Sequence, residues 1–209
     1  MMAVTHVLVG MALSGVVLAF APDLAPVALA AGALGGAFPD FDLYVGHRRT
    51  LHYPVYATLG GLVALAVSAA TPAPLTVALA AFLLAAGVHA AMDALGGGLE
   101  LKPWERTSER AVYSHFHDRW LRPRRWVRYD GAPEDLALSA VVAAPLLALY
   151  DPPVSLAVGA LLAVAMGYAL LRKRLADCWA VLVALLPPSL ATYLPDRFGE
   201  VRGDGGEVR

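Results

Sequence analysis

The run PLTVALAAFLLAAGVHAAMD, residues 74–93, decides the class of fold. Nothing in it is charged before Asp93, and its apolar length matches the roughly 20 residues a helix needs to cross a bilayer core. Alanine, leucine and valine fill it without the polar–apolar alternation of a barrel strand. It ends on His89 and Asp93, four residues apart, so an imidazole and a carboxylate share one helix face at the end of an apolar span. Ionisable groups are costly at that depth, which makes the pair a functional candidate.

Six other stretches resemble the first in composition: Val7–Ala21, Leu24–Phe38, Pro54–Ala70, Leu136–Tyr150, Val154–Leu171 and Ala176–Leu194. The expected fold is therefore an all-α, polytopic transmembrane bundle of about seven spans. The second and fifth stretches are short, which sets a lower bound of five. Pro22-Asp23, Thr71–Pro74 and Asp151–Pro153 read as tight turns between antiparallel helices. The whole chain agrees. Its 209 residues are 58% hydrophobic and only 16% charged, against about 25% charged in soluble domains. A soluble globular domain, a disordered chain and a basic nucleic-acid-binding tail are all excluded. A net charge of −1 offers no global field, and the single cysteine, Cys178, rules out an intrachain disulfide framework.

Lysine and arginine fall in alternate loops. Arg48 and Arg49 follow the second stretch, eight basic residues follow the fourth, and Arg172–Arg174 follow the sixth. The positive-inside rule then puts these loops and the N-terminus in the cytoplasm, in a multi-pass protein of the cell membrane. The first stretch is not expected to be a cleaved signal peptide, because Met1–His6 carries no basic residue. Four segments follow: a membrane-embedded site half over 1–93, an interfacial loop over 94–134, a three-span scaffold over 135–194, and a polar tail over 195–209, whose Arg197, Arg202 and Arg209 belong outside. Gly32, Gly35, Gly36, Gly60 and Gly61 are expected at close helix crossings.

The polar residues converge on the inferred cytoplasmic side. All six histidines, His6, His47, His52, His89, His115 and His117, lie at span ends or in loops there, with Asp40, Asp42 and Asp93. Pro39-Asp40-Phe41-Asp42 reads as an extended turn with both carboxylates pointing the same way. His47 and His52 bracket Arg48 and Arg49, whose guanidinium forks match a phosphate. Mixed imidazole and carboxylate donors suit zinc, with manganese or magnesium as alternatives. One ion or a pair would activate water for hydrolysis.

Thr5-His6, Pro39-Asp40-Phe41-Asp42, His47-Arg48…His52 and His89-x-x-x-Asp93 followed by glycines and Pro103 resemble the YdjM-like family of membrane-bound metal-dependent hydrolases. The resemblance covers the first half of the chain. It implies a multi-pass membrane protein with hydrolase activity and no assigned substrate. The His-x-x-x-Asp helix is more distantly similar to zinc-dependent phospholipases C and P1-type nucleases, which favours a phosphoester. Those enzymes use two such units for three zinc ions. This chain has one unit, so one or two ions are expected.

The resulting expectation is a metal-dependent hydrolase cleaving a phosphoester of a lipid or amphiphile at the cytoplasmic interface. His6, Asp40, Asp42, His52, His89 and Asp93 are the expected metal ligands. His47 is an acid/base group or further ligand, and Arg48 and Arg49 are phosphate clamps. Membrane lipid is the expected partner, and nucleic acid is not. A divalent-cation transporter or sensor is the alternative, and a catalytically silent scaffold the third reading. In the interfacial loop, Trp104, Tyr113, Phe116, Trp120, Trp126 and Tyr129 alternate with basic residues, as membrane-surface segments do. His115 and His117 are possible further ligands there, and Glu100 and Glu105 possible acid/base groups.

Overall fold

Prolines open most of the helices. A computed structural model describes residues 1–191, 193 and 194, and in it the apolar runs become α1 (Ala3–Gly15), α2 (Ala25–Ala37), α3 (Tyr56–Ala70), α4 (Pro74–Asp93), α5 (Pro133–Leu149), α6 (Val154–Leu185) and a final turn α7 (Pro188–Ala191). Pro26, Pro74 and Pro133 each sit in the first turn of their helix, where the missing N–H has no helical partner to lose. The tail arginines Arg197, Arg202 and Arg209 lie outside the described residues.

Helix α4 is central, packed on α1, α2 and α3, while α5 and α6 close over α1 on the other side. Leu8, Met11, Leu29, Ala143, Leu146 and Val158 form the buried core between α1, α2, α5 and α6. The close crossings fall on glycines. A methyl on Gly32 would strike the Gly10 carbonyl and the Ser14 hydroxyl, and one on Gly36 would strike the His6 carbonyl. Backbone meets backbone there, as small residues permit in membrane bundles. Gly60, by contrast, has only the tip of Leu83 near it, at 3.7 Å.

Three helices are long and apolar enough to cross a membrane: Pro22–Asp42, Pro74–Asp93 and Val154–Leu185. The first is α2 extended at both ends by 3₁₀ turns, which is how the short second stretch gains its length. The first and third stretches are the shorter ones, Ala3–Ala19 and Tyr56–Ala70. The count of seven separate spans also changes at the C-terminal end. The sixth stretch and residues 176–185 of the seventh are one uninterrupted helix, α6, of 32 residues. At 1.5 Å per residue it runs about 48 Å, well beyond a hydrocarbon core of about 30 Å. Arg172-Lys173-Arg174 does not turn the chain because arginine and lysine are good helix formers and Arg172 finds partners in the fold. Its guanidinium grips both oxygens of Asp130 at 2.8 and 3.0 Å and also donates to the Leu101 carbonyl at 3.0 Å. Pro187-Pro188 ends the helix, whereas Pro145 is carried inside α5.

The segment between α4 and α5 folds back on the helix ends. It contains a hairpin of β1 (Val112–Ser114) and β2 (Arg119–Leu121), with Tyr113 opposite Trp120. The Tyr113 N–H donates to the Arg48 carbonyl at 2.9 Å, which docks the hairpin on the loop between α2 and α3.

Candidate metal centre

His89 and Asp93 lie in the last turn of α4, and both are 1% exposed. Three other parts of the chain close on them. The start of α1 brings His6, the 3₁₀ turn after α2 brings Asp40, and the loop before α3 brings His52. Donor atoms of Asp40, His52, His89 and Asp93 all lie within 4.8 Å of one another.

The ring nitrogens are already allotted. His89 Nδ1 is 2.6 Å from the Gly36 carbonyl, which can only accept, so Nδ1 carries the proton. His52 Nδ1 is 2.9 Å from Asp42 Oδ2, and the same reasoning protonates it. In His89 the lone pair is therefore on Nε2, which faces the Asp40 and Asp93 carboxylates, whereas His52 Nε2 is hydrogen-bonded to Asp93 Oδ2 at 3.2 Å and holds a proton there. Ring N–H groups tied to a carbonyl or a carboxylate are the usual support of metal-bound histidine.

The spacings of the cluster are compatible with a bound metal ion. Two ligands each 2.0–2.1 Å from one ion at the tetrahedral angle stand about 3.3–3.4 Å apart. His89 Nε2 is 3.5 Å from Asp40 Oδ1 and 3.6 Å from Asp93 Oδ2, and His52 Nε2 is 3.2 Å from Asp93 Oδ2. His89 Nε2 is fully buried and makes no hydrogen bond. A buried polar atom left unpaired costs about 1–3 kcal/mol, and an ion at the centre would supply its partner. His6 adds a second case. Its ring stacks on His89 with centroids 3.7 Å apart, both its nitrogens lack hydrogen bonds, and Nε2 is 3.3 Å from Asp93 Oδ1.

Asp93 is the hub. Besides the three imidazoles it meets the Met1 α-amine at 3.1 Å and Arg48 Nε at 3.4 Å. Burial alone pushes the His52 imidazole down, but its bonds to Asp42 and Asp93 outweigh that and raise it. An ion binding at Nε2 therefore has to compete with a proton.

The remaining expected residues take other positions. Asp42 stands behind His52 and outside the group of four. Its Oδ1 accepts from His47 Nδ1 at 3.0 Å and the Arg48 N–H at 3.2 Å, and its Oδ2 accepts from the Leu51 N–H at 3.1 Å and His52 Nδ1 at 2.9 Å. Four donors saturate the carboxylate, which makes it a support for His52. The expected extended turn is a 3₁₀ helix, Phe38–Asp42. At three residues per turn, positions two apart point about 120° away from each other, so Asp40 and Asp42 face different ways.

His47 is held on Asp42. Arg48 lies inside, its Nη1 donating to the Gly97 carbonyl at 3.0 Å and the Ala111 carbonyl at 3.4 Å. Its backbone is left-handed at φ 59°, a conformation non-glycine residues adopt only when neighbours enforce it. Arg49 is exposed and stacks over Tyr113 at 4.6 Å, away from the cluster. His115 and His117 lie at the hairpin turn. His115 Nε2 bonds the Arg49 carbonyl at 2.7 Å and its ring stacks on Tyr53, while His117 Nδ1 pairs with Ser114 Oγ at 2.8 Å.

One buried carboxylate behind the site escaped the sequence reading. Asp135, in the first turn of α5, accepts from the Met2 N–H at 2.8 Å, the Thr5 hydroxyl at 2.7 Å and the Gly131 N–H at 3.0 Å. It fixes the start of α1, and so the residue next to His6. An acid opening an apolar stretch four residues after a glycine was the available signal. Compared with known protein families, with curated proteins and with solved structures, the chain matches none.

Proposed function

We propose that the cluster binds a divalent metal ion, zinc by preference, and that the protein is a membrane-embedded, metal-dependent hydrolase of phosphoesters. One observation carries the reading. Two buried histidines whose Nδ1–H groups are already committed turn Nε2 toward two carboxylates at near-tetrahedral spacing, and the Nε2 of His89 is buried without a hydrogen bond. His52, His89, Asp40 and Asp93 are the ligands. Nitrogen and oxygen donors in this mixture suit zinc first and admit manganese. His6, stacked on His89 and facing the other oxygen of Asp93 at 3.3 Å, would hold a second ion if one binds.

Hydrolysis needs an open coordination position. Asp40 supplies the direction. Its side chain is 28% exposed, while the other three are buried, and it lines a cavity of about 200 Å³. A metal held by these residues would supply a Lewis acid for a phosphoryl oxygen and an activated water. The resemblance of the ordered motifs to those of YdjM-like hydrolases supports the same chemistry. The apolar helices support a lipid or amphiphile as substrate, and the loop arginines support a cytoplasmic face for the site.

Elemental analysis tests this on detergent-purified protein beside the His89→Ala/Asp93→Ala variant. About one or two equivalents of metal per chain, lost in a variant that still runs as a folded species on size exclusion, is the expected result. No metal in either protein after supplementation with zinc and manganese would overturn the reading and leave a scaffold.

A further inference from the structure

The hairpin between α4 and α5 builds a surface that the metal cluster does not use. Tyr113 of β1 stands opposite Trp120 of β2, their rings 5.5 Å apart and edge to face. Each ring carries a guanidinium. Arg49 lies over Tyr113 at 4.6 Å, and Arg110 over Trp120 at 5.8 Å. Both arginines are exposed, and neither pairs with a carboxylate among the described residues. An aromatic face holds a guanidinium by its charge and leaves N–H donors at its edge to meet a phosphate. The shelf is also fixed from below. The Tyr113 N–H donates to the Arg48 carbonyl, and His115 Nε2 donates to the Arg49 carbonyl, so the hairpin and the loop bearing Arg49 are one unit.

An apolar track leads from this shelf onto helix α3. His115 stacks on Tyr53 with ring centroids 4.5 Å apart, and Phe116 meets Tyr56, in the first turn of α3, at 6.1 Å. Phe116 and Tyr56 are each more than half exposed. Tyr56, Leu59, Val63 and Val67 follow one another at spacings of three, four and four, which sets them in one stripe along the helix. All four are exposed. Such a stripe suits the lipid-facing side of a helix, and its end beside the hairpin carries the aromatic residues usual at a membrane boundary.

We infer that the shelf binds the phosphate of an anionic phospholipid, whose acyl chains lie along the α3 stripe. The charge and the stripe together choose the lipid. A free phosphate or a nucleic acid could use the two guanidiniums, but neither has anything apolar to lay on Leu59, Val63 and Val67. Arg49, which stands away from the metal cluster, thereby has a phosphate partner of its own. The inference takes only the membrane placement from the reading above, and none of its residues belongs to the cluster.

The test reconstitutes the full chain, without added metal, into phosphatidylcholine nanodiscs. These carry a trace of spin-labelled phosphatidylglycerol or of spin-labelled phosphatidylcholine, and electron spin resonance reads the motionally restricted fraction of each. An arginine that meets anionic headgroups contributes about fivefold in association. The wild type should therefore prefer phosphatidylglycerol severalfold, and Arg49→Gln/Arg110→Gln should lose most of that preference. Lys173→Gln/Arg174→Gln, which removes the same charge from α6, should keep it. Arg110→Gln alone, with a partial loss expected, serves as the test if the double variant does not run as a folded species on size exclusion. No preference in the wild type overturns the inference. Equal losses in the two double variants also overturn it, because diffuse charge would then explain the preference. Displacement of the restricted phosphatidylglycerol by inorganic phosphate or by single-stranded RNA overturns the lipid assignment. All of these leave the metal reading standing. A wild type that does not enter nanodiscs overturns the membrane placement and this inference together.

Discussion

Replacing Asp42 by asparagine separates support of the metal centre from the centre itself. The Asp42 carboxylate accepts four hydrogen bonds, two at each oxygen, from His47 and Arg48 on one side and Leu51 and His52 on the other. Asparagine keeps the shape but turns one oxygen into an NH₂ group. Turned toward Leu51 and His52, that group meets a backbone N–H that cannot change and frees the Nδ1 proton of His52. Turned toward Arg48, it opposes another backbone N–H. Either way one buried donor is orphaned, at about 1–3 kcal/mol.

The metal senses more than this loss. Without the carboxylate, the His52 ring is no longer fixed with Nε2 toward the cluster, and its basicity falls. Losing such a support typically weakens metal affinity 10–100-fold, or about 1.4–2.7 kcal/mol at 1.36 kcal/mol per decade. Zinc competition against a chromophoric chelator reads the affinity, and thermal unfolding of the apo-protein reads the stability. A folded Asp42→Asn variant that unfolds earlier but binds zinc as tightly as wild type would refute the reasoning, since Asp42 would then serve the loop alone.

Other outcomes follow from the same geometry. Asp135→Ala leaves the Met2 N–H, the Thr5 hydroxyl and the Gly131 N–H without their acceptor. It should cost about 3 kcal/mol or more, read as an earlier unfolding transition in detergent. Gly32→Ala forces a methyl into the Gly10 carbonyl, and should destabilise by about 1–3 kcal/mol or prevent folding, which thermal unfolding again reports. For Asp130, burial pushes the carboxyl up, but the Arg172 guanidinium and the hydrogen bonds from it and Tyr168 outweigh this and hold it below its ordinary value. Its stabilising contribution is therefore complete above about pH 4 and is lost as pH falls through the lower folded value. Unfolding temperatures measured across that acid range should fall less steeply in Asp130→Asn than in the wild type. Saturating zinc at about 100 times its dissociation constant should stabilise the wild type by about 2.7 kcal/mol. The same addition should leave the unfolding of His89→Ala/Asp93→Ala unmoved.

The convergence of His6, Asp40, His52, His89 and Asp93 was legible because ionisable residues stand out in an apolar chain and shared one inferred membrane face. The finer roles were not, for local reasons. Asp40 and Asp42 look equivalent as a pair two residues apart, and only the 3₁₀ turn separates the member of the buried cluster from its support. Arg172-Lys173-Arg174 looks like a loop because three cations in a row are costly in hydrocarbon. The residues that accommodate Arg172, Asp130 and the Leu101 carbonyl, are 42 and 71 positions away. Tertiary pairing over such distances leaves no periodic trace. The hairpin was equally silent, since strands of three residues carry too little alternation to read. Arg48 and Arg49 are neighbours in sequence, yet the left-handed turn at Arg48 sends one inward and leaves the other on Tyr113.

Asp93 comes last in the chain among the groups gathered around it, which reach back to Met1. During synthesis the earlier helices therefore emerge with polar side chains whose common partner does not yet exist. The gathering point appears only when α4 is complete, near the midpoint of the chain. From then on, every group drawn to that carboxylate is within the nascent protein. Helices α5 and α6 are added to a half whose polar interior can already be closed, and Asp135 then fastens it from outside through Thr5 and the Met2 backbone. The order of residues along the chain thus works as an assembly schedule. Truncations after α4 should retain the gathering of these groups, whereas truncations before it strand them.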